Sequence, residues 1–227
     1  MKKRILVVIG VMAMVSFTGC KKETREKFKE AKQGISNTTT ILKNAKNAQK
    51  DIEKLKDATP LTNEQLKEWL PDTIDAMKRT GFKAGQAIYA NLASIEGKYD
   101  TPEEASTITN DTGERMLNPN KKSFKIQVMD GAGPTGSMMI ASLNMLSRLD
   151  MEEDTEYHHK KTVTMGKIRA LQTYKKPRSQ TAAPRTELQF VYKGRLGVIV
   201  NGTNMSLEET WKTVISLNLD ALMKKAS

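Results

Sequence analysis

The chain has 227 residues, a mass of 25.4 kDa and a hydrophobic share of 38%, which together allow one domain with accessory segments and exclude two large domains. Of its net charge of +11, residues 58–227 carry only +3, because Lys2, Lys3 and Arg4 add three charges and residues 21–57 hold eleven Lys or Arg against six Asp or Glu. This distribution predicts no nucleic-acid partner, whereas a basic segment beside a near-neutral domain suits an anionic membrane surface. The single cysteine, Cys20, excludes an intrachain disulfide and a metal site built from thiolates.

Residues 1–19 have the pattern of an export signal. Lys2, Lys3 and Arg4 form a positive start, and residues 5–15 are an apolar run of eleven residues. A helix needs about 20 residues to span a bilayer core, so this run is too short to be a membrane anchor. The segment is therefore predicted to be a signal peptide that ends at Gly19.

The residues that close the signal, Phe17-Thr18-Gly19-Cys20, resemble the lipobox of bacterial lipoproteins, in which small residues precede an obligatory cysteine. The family usually has Leu where this chain has Phe17, and the resemblance covers only the first 20 residues. It implies a diacylglyceryl group on the Cys20 sulfur, cleavage after Gly19, and a further acyl chain such as palmitate on the new amino terminus. Several acyl chains, at about 0.8 kcal/mol per buried methylene, make a stable anchor. The alternative is an ordinary secreted protein or a buried cysteine.

The residue after the cysteine bears on the destination. Lys21 stands there instead of Asp, which resembles the sorting pattern for the outer membrane in a cell with two membranes. The resemblance therefore implies a lipid-anchored protein of the cell envelope, outside the cytoplasm, with membrane lipid as a partner through acylated Cys20.

Residues 20–58 are predicted to form the lipidated N-terminus and a basic helical stalk. Residues 21–57 contain no Pro and a single Gly, Gly34. Eight residues at alternating spacings of four and three would share one stripe of a helix: Phe28, Ala31, Ile35, Thr38, Leu42, Ala45, Gln49 and Ile52. Four of these are Ala, Thr or Gln, and Thr38-Thr39-Thr40 disfavours a helix. The prediction is a marginal helix that spaces the domain from the lipid, with a coiled-coil oligomer as the alternative.

Residues 59–227 are predicted to form a single domain. Thr62 and Gln65 have the spacing of a capping box at the start of a short helix. Residues 87–95 alternate as a strand or hairpin arm does. Residues 100–121 are rich in Thr, Asn, Asp, Gly and Pro, so they are predicted to be mostly loop.

The middle of the domain is predicted to contain a strand, a helix and a meander. Residues 124–128 alternate apolar and polar side chains, which indicates a half-buried strand. Apolar residues then recur at helical spacing from about Gly136 to Arg148. Four strands separated by turns are predicted to follow, near residues 156–165, 167–175, 187–193 and 195–201.

The last predicted element is a helix that begins with a capping box formed by Ser206 and Glu209, and its apolar surface continues to Leu222. The order of the elements predicts an α+β fold, with a mostly antiparallel sheet of about six strands and helices packed on it. The meander followed by a helix resembles the α-β-α sandwich of the photosystem oxygen-evolving extrinsic P-protein family. That likeness is one of element order, so it implies no site.

A glycine-rich segment lies between a predicted strand and a predicted helix. Gly131, Gly133 and Gly136 form a G-x-G-x-x-G pattern, which can aim free amides and the positive end of a helix dipole at a phosphate. However, Lys125 and Gln127 alternate through the preceding strand, whereas the parallel strand of a nucleotide-binding fold is apolar on both faces. The interpretation is a structural connection, with an anion or small ligand at the helix start as the open alternative.

No group of residues indicates catalysis, a metal or a cofactor. His158 and His159 are the only histidines, and neighbours on a strand point to opposite faces, so they cannot chelate one metal together. No G-x-S-x-G elbow is present for a nucleophilic serine. The basic clusters Lys160-Lys161 and Lys175–Arg178 are interpreted as solvated faces, because aromatic residues make up only 5% of the chain.

The function expected from these residues is a non-catalytic binding or structural module in the cell envelope, open to an envelope protein as partner. Two alternatives stay open. One is an exported hydrolase, which would need a pocket with two carboxyl groups about 5–9.5 Å apart. The other is a small-ligand carrier that uses the sheet face and the Gly131–Gly136 turn.

Overall fold

A computed structural model describes residues 46–85, 92–102, 107–109, 113, 115–118, 121–178 and 182–226 of the chain. All of them belong to one compact unit, Lys43–Ser227. The predicted signal peptide, Cys20 and the first part of the predicted stalk lie outside the described residues.

The described residues form five helices and eleven strands. The helices are α1 (described over residues 46–55), α2 (Asn63–Trp69), α3 (Gly133–Arg148), α4 (Leu207–Ser216) and α5 (Leu219–Lys225). The strands are β1 (Thr73–Ile74), β2 (Met77–Ala84), β3 (Ser94–Asp100), β4 (Thr107–Thr109), β5 (Arg115–Leu117), β6 (Ser123–Asp130), β7 (Glu152–Asp154), β8 (His158–Met165), β9 (Ile168–Lys175), β10 (Arg185–Tyr192) and β11 (Leu196–Thr203).

Nine strands form one sheet in the order β1-β2-β3-β6-β11-β10-β9-β8-β7, and every neighbouring pair is antiparallel. Strands β4 and β5 form a separate antiparallel pair. The predicted α+β class with an antiparallel sheet is therefore confirmed. The prediction of about six strands is wrong, because the sheet has nine.

The missed strands lie at the edges of the sheet, where the alternation of apolar and polar residues fails. β1 and β7 have two and three residues, too few for a pattern. β2 pairs with β1 only at Met77 and Lys78, so no other described strand pairs with the rest of its outer edge, and its side chains are mostly polar. Residues 100–121 were predicted to be mostly loop, yet β4 and β5 lie within them. Of the strand predicted over residues 87–95, residues 87–91 lie outside the described residues and Leu92 and Ala93 are not in a strand, whereas β3 runs from Ser94 to Asp100.

Both predicted capping boxes are confirmed. The Thr62 backbone N–H donates to the Gln65 side chain at 2.8 Å, and the Ser206 N–H donates to Glu209 at the same distance. The C-terminal helix differs from the prediction because it is two helices. Asn218 adopts a left-handed conformation with φ +47° between them, and its side chain accepts from the Ala221 N–H, which starts α5.

The sheet separates two layers of helices. On one face, a single apolar core joins the sheet to α2, α4 and α5. Its members include Leu66, Trp69, Ile95, Tyr99, Phe124, Ile126, Val128, Leu188, Phe190, Val198, Val200, Trp211 and Leu222. On the other face lies α3, since a Cβ atom added to Gly197, the neighbour of Val198, would approach the Ile140 side chain to 3.0 Å. Alternate residues of the central strands therefore face different helices.

Helix α1 belongs to the segment predicted as stalk, and it contacts α3. The Asp51 carboxylate accepts from the Asn144 amide at 3.0 Å and from the Arg148 guanidinium at 3.1 Å. Its partly buried residues recur at helical spacing: Asn47, Ala48, Asp51, Ile52 and Leu55. One face of α1 thus packs against the domain.

Tyr99 in β3 gives the core a measurable pH dependence. Its side chain is 0% exposed and its hydroxyl donates to the Pro71 carbonyl oxygen at 2.8 Å. Burial raises the pKa of this phenol to about 12. The unfolded chain loses the same proton near pH 10, so the stabilising contribution is complete below about pH 10 and is lost as the pH rises to about 12.

We therefore expect the free energy of unfolding to fall over that pH range, and to fall less steeply in Tyr99→Phe. Urea unfolding followed by circular dichroism at several pH values measures the two slopes. Identical slopes for the wild type and Tyr99→Phe would contradict the assignment.

Candidate functional site

The glycine-rich segment links β6 to α3, with Gly131 in the connection and Gly133 and Gly136 in the first turn of the helix, which begins three residues before the predicted start near Gly136. A Cβ atom on Gly131 would lie 2.6 Å from the Arg195 carbonyl oxygen, and one on Gly136 would lie 2.5 Å from the Asp130 carbonyl oxygen. Gly133 adopts φ +80°, a conformation that favours glycine. Close backbone packing and turn geometry therefore account for all three glycines.

The turn also contains its own anion, the carboxylate of Asp130. This side chain is 0% exposed. Its Oδ2 accepts from the Leu61 N–H at 2.8 Å, and its Oδ1 accepts from the Ala132 N–H, next to the first turn of α3, at 3.1 Å. The Arg195 guanidinium donates to both oxygens, from Nε to Oδ1 at 2.7 Å and from Nη2 to Oδ2 at 2.9 Å. The Asp130 carboxylate thus occupies the Ala132 N–H beside the helix start, and binding of an external ligand there stays a prediction.

The Asp130–Arg195 pair joins the two ends of the described domain. Besides binding Asp130, Arg195 donates to the Thr59 carbonyl oxygen at 2.8 Å and to that of Ala226. Sequence reasoning missed the pair, although a signal existed. Asp130 continues the inward phase of Phe124, Ile126 and Val128, so it is a carboxylate at a core position of a strand and needs a buried partner.

The two histidines begin β8 and have separate partners. His158 Nε2 lies 3.2 Å from Glu153 Oε1, and His159 Nδ1 lies 3.8 Å from Asp154 Oδ1. Across the ranges that the structure describes, no group of three or more His, Cys, Asp or Glu side chains is placed to hold a metal ion. Each histidine therefore contacts a carboxylate of the neighbouring strand β7.

A row of polar side chains crosses the end of the sheet that α3 leaves open. His158, Lys175, Arg185 and Thr203 are register partners on β8, β9, β10 and β11. Directly opposed residues share a face, and adjacent strands lie about 4.8 Å apart, so the four side chains form one line. Thr203 lies six residues from Gly197 on β11, which places the line on the α3 face of the sheet.

This row forms the floor of a pocket of about 540 Å³, which we call the basic cleft. Its described lining includes four cationic side chains and no carboxylate: Lys175, Lys176, Arg178 and Arg185. A neighbouring pocket of about 230 Å³ shares His158 and Lys175 with it and continues along the same sheet face. The open half of this face is thus a continuous, mainly basic groove.

No protein-family model matches this chain, and no curated protein or solved structure shows significant similarity to it. Among the described helices, none is both long and apolar enough to cross a membrane. Function is therefore inferred from the residues and the geometry of this chain.

The charges of the basic cleft are only partly balanced. Lys175 pairs with Glu187 at 3.0 Å, and Lys176 lies 3.8 Å from an Asp154 oxygen. Within the described part of the chain, neither Arg178 nor Arg185 has a carboxylate partner within 4.0 Å. Both guanidinium groups therefore lack a counter-charge among the residues that the structure describes.

Sequence reasoning noted Lys175–Arg178 as a basic cluster but did not connect it with Arg185 or His158. The connection depends on strand register, which places Arg185 and His158 on either side of Lys175. The ends of β8, β9 and β10 were predicted within two residues, yet no local pattern shows which residues of neighbouring strands stand opposite each other.

Proposed function

We propose that this chain is an exported bacterial lipoprotein, held by acyl chains on Cys20 at a membrane surface outside the cytoplasm. In a cell with two membranes, that surface is the outer membrane. Three features of the sequence support the proposal: the lipobox-like residues 17–20, an apolar run too short to span a bilayer, and the positive surplus of residues 21–57. Residues 1–19 are then removed on export.

In this proposal the α+β domain is a non-catalytic binding or structural module of the cell envelope. The observation that carries it is the basic cleft, where the sheet presents cations on a part of its face that no described helix covers. The apolar core is closed on the other face. A hydrolase that works with a carboxyl pair would need acidic groups where the cleft has Lys and Arg, which favours binding over hydrolysis.

Binding is proposed at the sheet face and not at the Gly131–Gly136 turn. At the turn, the Asp130 carboxylate already accepts hydrogen bonds from Ala132 and Arg195. At the sheet face, Arg178 and Arg185 have no counter-charge among the described residues. The sheet face is therefore better suited than the turn to bind an anionic partner.

Replacement of Cys20 tests the anchor. In Cys20→Ser the thiol that would carry the diacylglyceryl group is absent, so we expect the share of protein in the membrane fraction to fall about tenfold or more. Cell fractionation with a carbonate wash and immunoblotting measures this share. The double variant Cys20→Ser, Ser36→Cys is the matched control, because it restores a thiol outside the lipobox and should stay in the soluble fraction.

Two results would contradict the anchor. One is a Cys20→Ser chain that still sediments with membranes, which would place the tether elsewhere. The other is mass spectrometry that finds an unmodified Met1 on the wild-type protein.

A further inference from the structure

We infer that the basic cleft binds a phosphate ester group, carried by a small organic molecule or by a lipid headgroup, with Arg178 and Arg185 as the residues that take the phosphate. The inference rests on the proposed function in that both place binding at this cleft. It goes further by naming the chemistry of the ligand.

Charge complementarity points to a doubly charged anion. Glu187 and Asp154 balance the charges of the two lysines of the cleft. The guanidinium groups of Arg178 and Arg185 are then without a counter-charge among the described residues. A phosphate monoester carries about −1.5 to −2 charges at neutral pH, enough to match two cations. A carboxylate carries one charge and would leave one guanidinium without a partner.

The side-chain chemistry points the same way. A guanidinium presents its donors in a planar fork that matches two oxygens of a phosphate, whereas a lysine ammonium acts as a point charge. Arg178 is held over the ring of Tyr157, with its Cζ 5.5 Å from the ring centroid. Arg185 is fixed at its backbone by pairing with Lys175 and Thr203 on both sides. The Arg178 side chain and the Arg185 backbone are therefore held in place before a ligand binds, which lowers the entropy lost on binding.

The size and walls of the cleft suit a small organic group on the phosphate. A volume of about 540 Å³ lies within the usual range for small-molecule sites, about 300–1,000 Å³. Tyr157, 54% exposed, and the methyl groups of Ala182 and Ala183 form an apolar wall beside the cations. A nucleic-acid strand is less well matched, because its bases would need several aromatic surfaces and Tyr157 is the one aromatic residue of the described lining.

The test uses the full-length chain with Cys20→Ser, which removes any contribution of acyl chains. In one arm, inorganic phosphate and glucose 6-phosphate are titrated in solution by calorimetry. In the other arm, binding is measured to phosphatidylcholine vesicles with and without phosphatidic acid, whose headgroup is a phosphate monoester. We expect saturable binding in at least one arm, at one site per chain.

Variants connect that binding to the cleft. The double variant Arg178→Gln, Arg185→Gln should weaken binding about tenfold or more, since each charged hydrogen-bonding group lost is worth at least that factor. Arg178→Lys, Arg185→Lys keeps both charges but loses the forks, so it should give an intermediate affinity. Lys212→Gln, an exposed position on α4 across the sheet, removes a charge and should leave the affinity unchanged. Melting temperatures of all variants verify that they fold.

The outcomes of the two arms distinguish the possible sources of the phosphate group. If the chain binds phosphate compounds in solution but not the vesicles, the ligand is a soluble phosphate ester. If it binds the phosphatidic acid vesicles but nothing in solution, the ligand is a lipid headgroup. Absence of saturable binding in both arms, or equal affinity in the double Gln variant and the wild type, would overturn the inference. Such a failure leaves the Cys20 fractionation result unaffected, so it is distinguishable from failure of the proposed anchor.

Discussion

Asp130→Asn is expected to lower the free energy of unfolding by about 3 kcal/mol or more. Removal of one partner from a buried ion pair leaves the other charge without compensation, which typically costs about 3–5 kcal/mol. The side chain of Arg195 is 13% exposed, so water can solvate it only poorly after the substitution. The Asn amide would also point a donor at a position where Asp130 accepts a hydrogen bond. Urea unfolding monitored by circular dichroism or tryptophan fluorescence measures the loss.

Asp150→Asn is the matched control. Asp150 also pairs with an arginine, Arg169, but its side chain is 95% exposed. An exposed pair contributes about 1 kcal/mol at most, so the control should change stability by less than that. In addition, Arg195→Gln should cost less in the Asp130→Asn background than in the wild type, because the two residues act as a unit, while its bonds to Thr59 and Ala226 are lost in both backgrounds. Equal losses in the two Asn variants, or strictly additive losses in the double variant, would contradict a stabilising role for the buried pair.

The parts of the fold that the sequence predicted well are those with local patterns. The four strands of the meander were predicted within two residues at almost every end, because their side chains alternate and Gly166 and Gly194 punctuate the turns with φ values of +59° and +73°. The capping boxes are local for the same reason, since a Ser or Thr and the residue three positions later suffice to start a helix.

The parts that sequence reasoning missed depend on contacts between distant residues. β2 carries charged side chains because most of its outer edge has no partner strand among the described residues, and an edge strand does not need a regular apolar phase. Arg195 is separated by 65 residues from Asp130, and only the fold shows that they meet. The basic cleft likewise depends on register. A charged residue at an inward position of a strand needs a buried partner, so Asp130 could have predicted the ion pair, though not the identity of Arg195.

Gly131→Ala is expected to lower the free energy of unfolding by about 3 kcal/mol through overpacking. The added Cβ would lie 2.4 Å from Ile140 Cγ1 and 2.6 Å from the Arg195 carbonyl oxygen. The second contact is with backbone, which cannot rotate away, and the same oxygen accepts from the Gly131 N–H at 2.8 Å. Relief of the clash therefore requires movement of the β10–β11 turn, which also holds the Arg195 side chain. Urea unfolding measures the change.

Gly81→Ala separates packing from the general cost of changing a glycine. Gly81 lies in β2, has no positive φ, and a Cβ added there would meet nothing within 4 Å, so its stability should change by less than about 0.5 kcal/mol. A large loss for Gly131→Ala beside a small change for Gly81→Ala would mean that the glycine-rich turn exists for close packing of α3. Unchanged stability in Gly131→Ala would contradict that explanation, and the glycine would then be better explained by close approach of a ligand, the alternative that its sequence pattern left open.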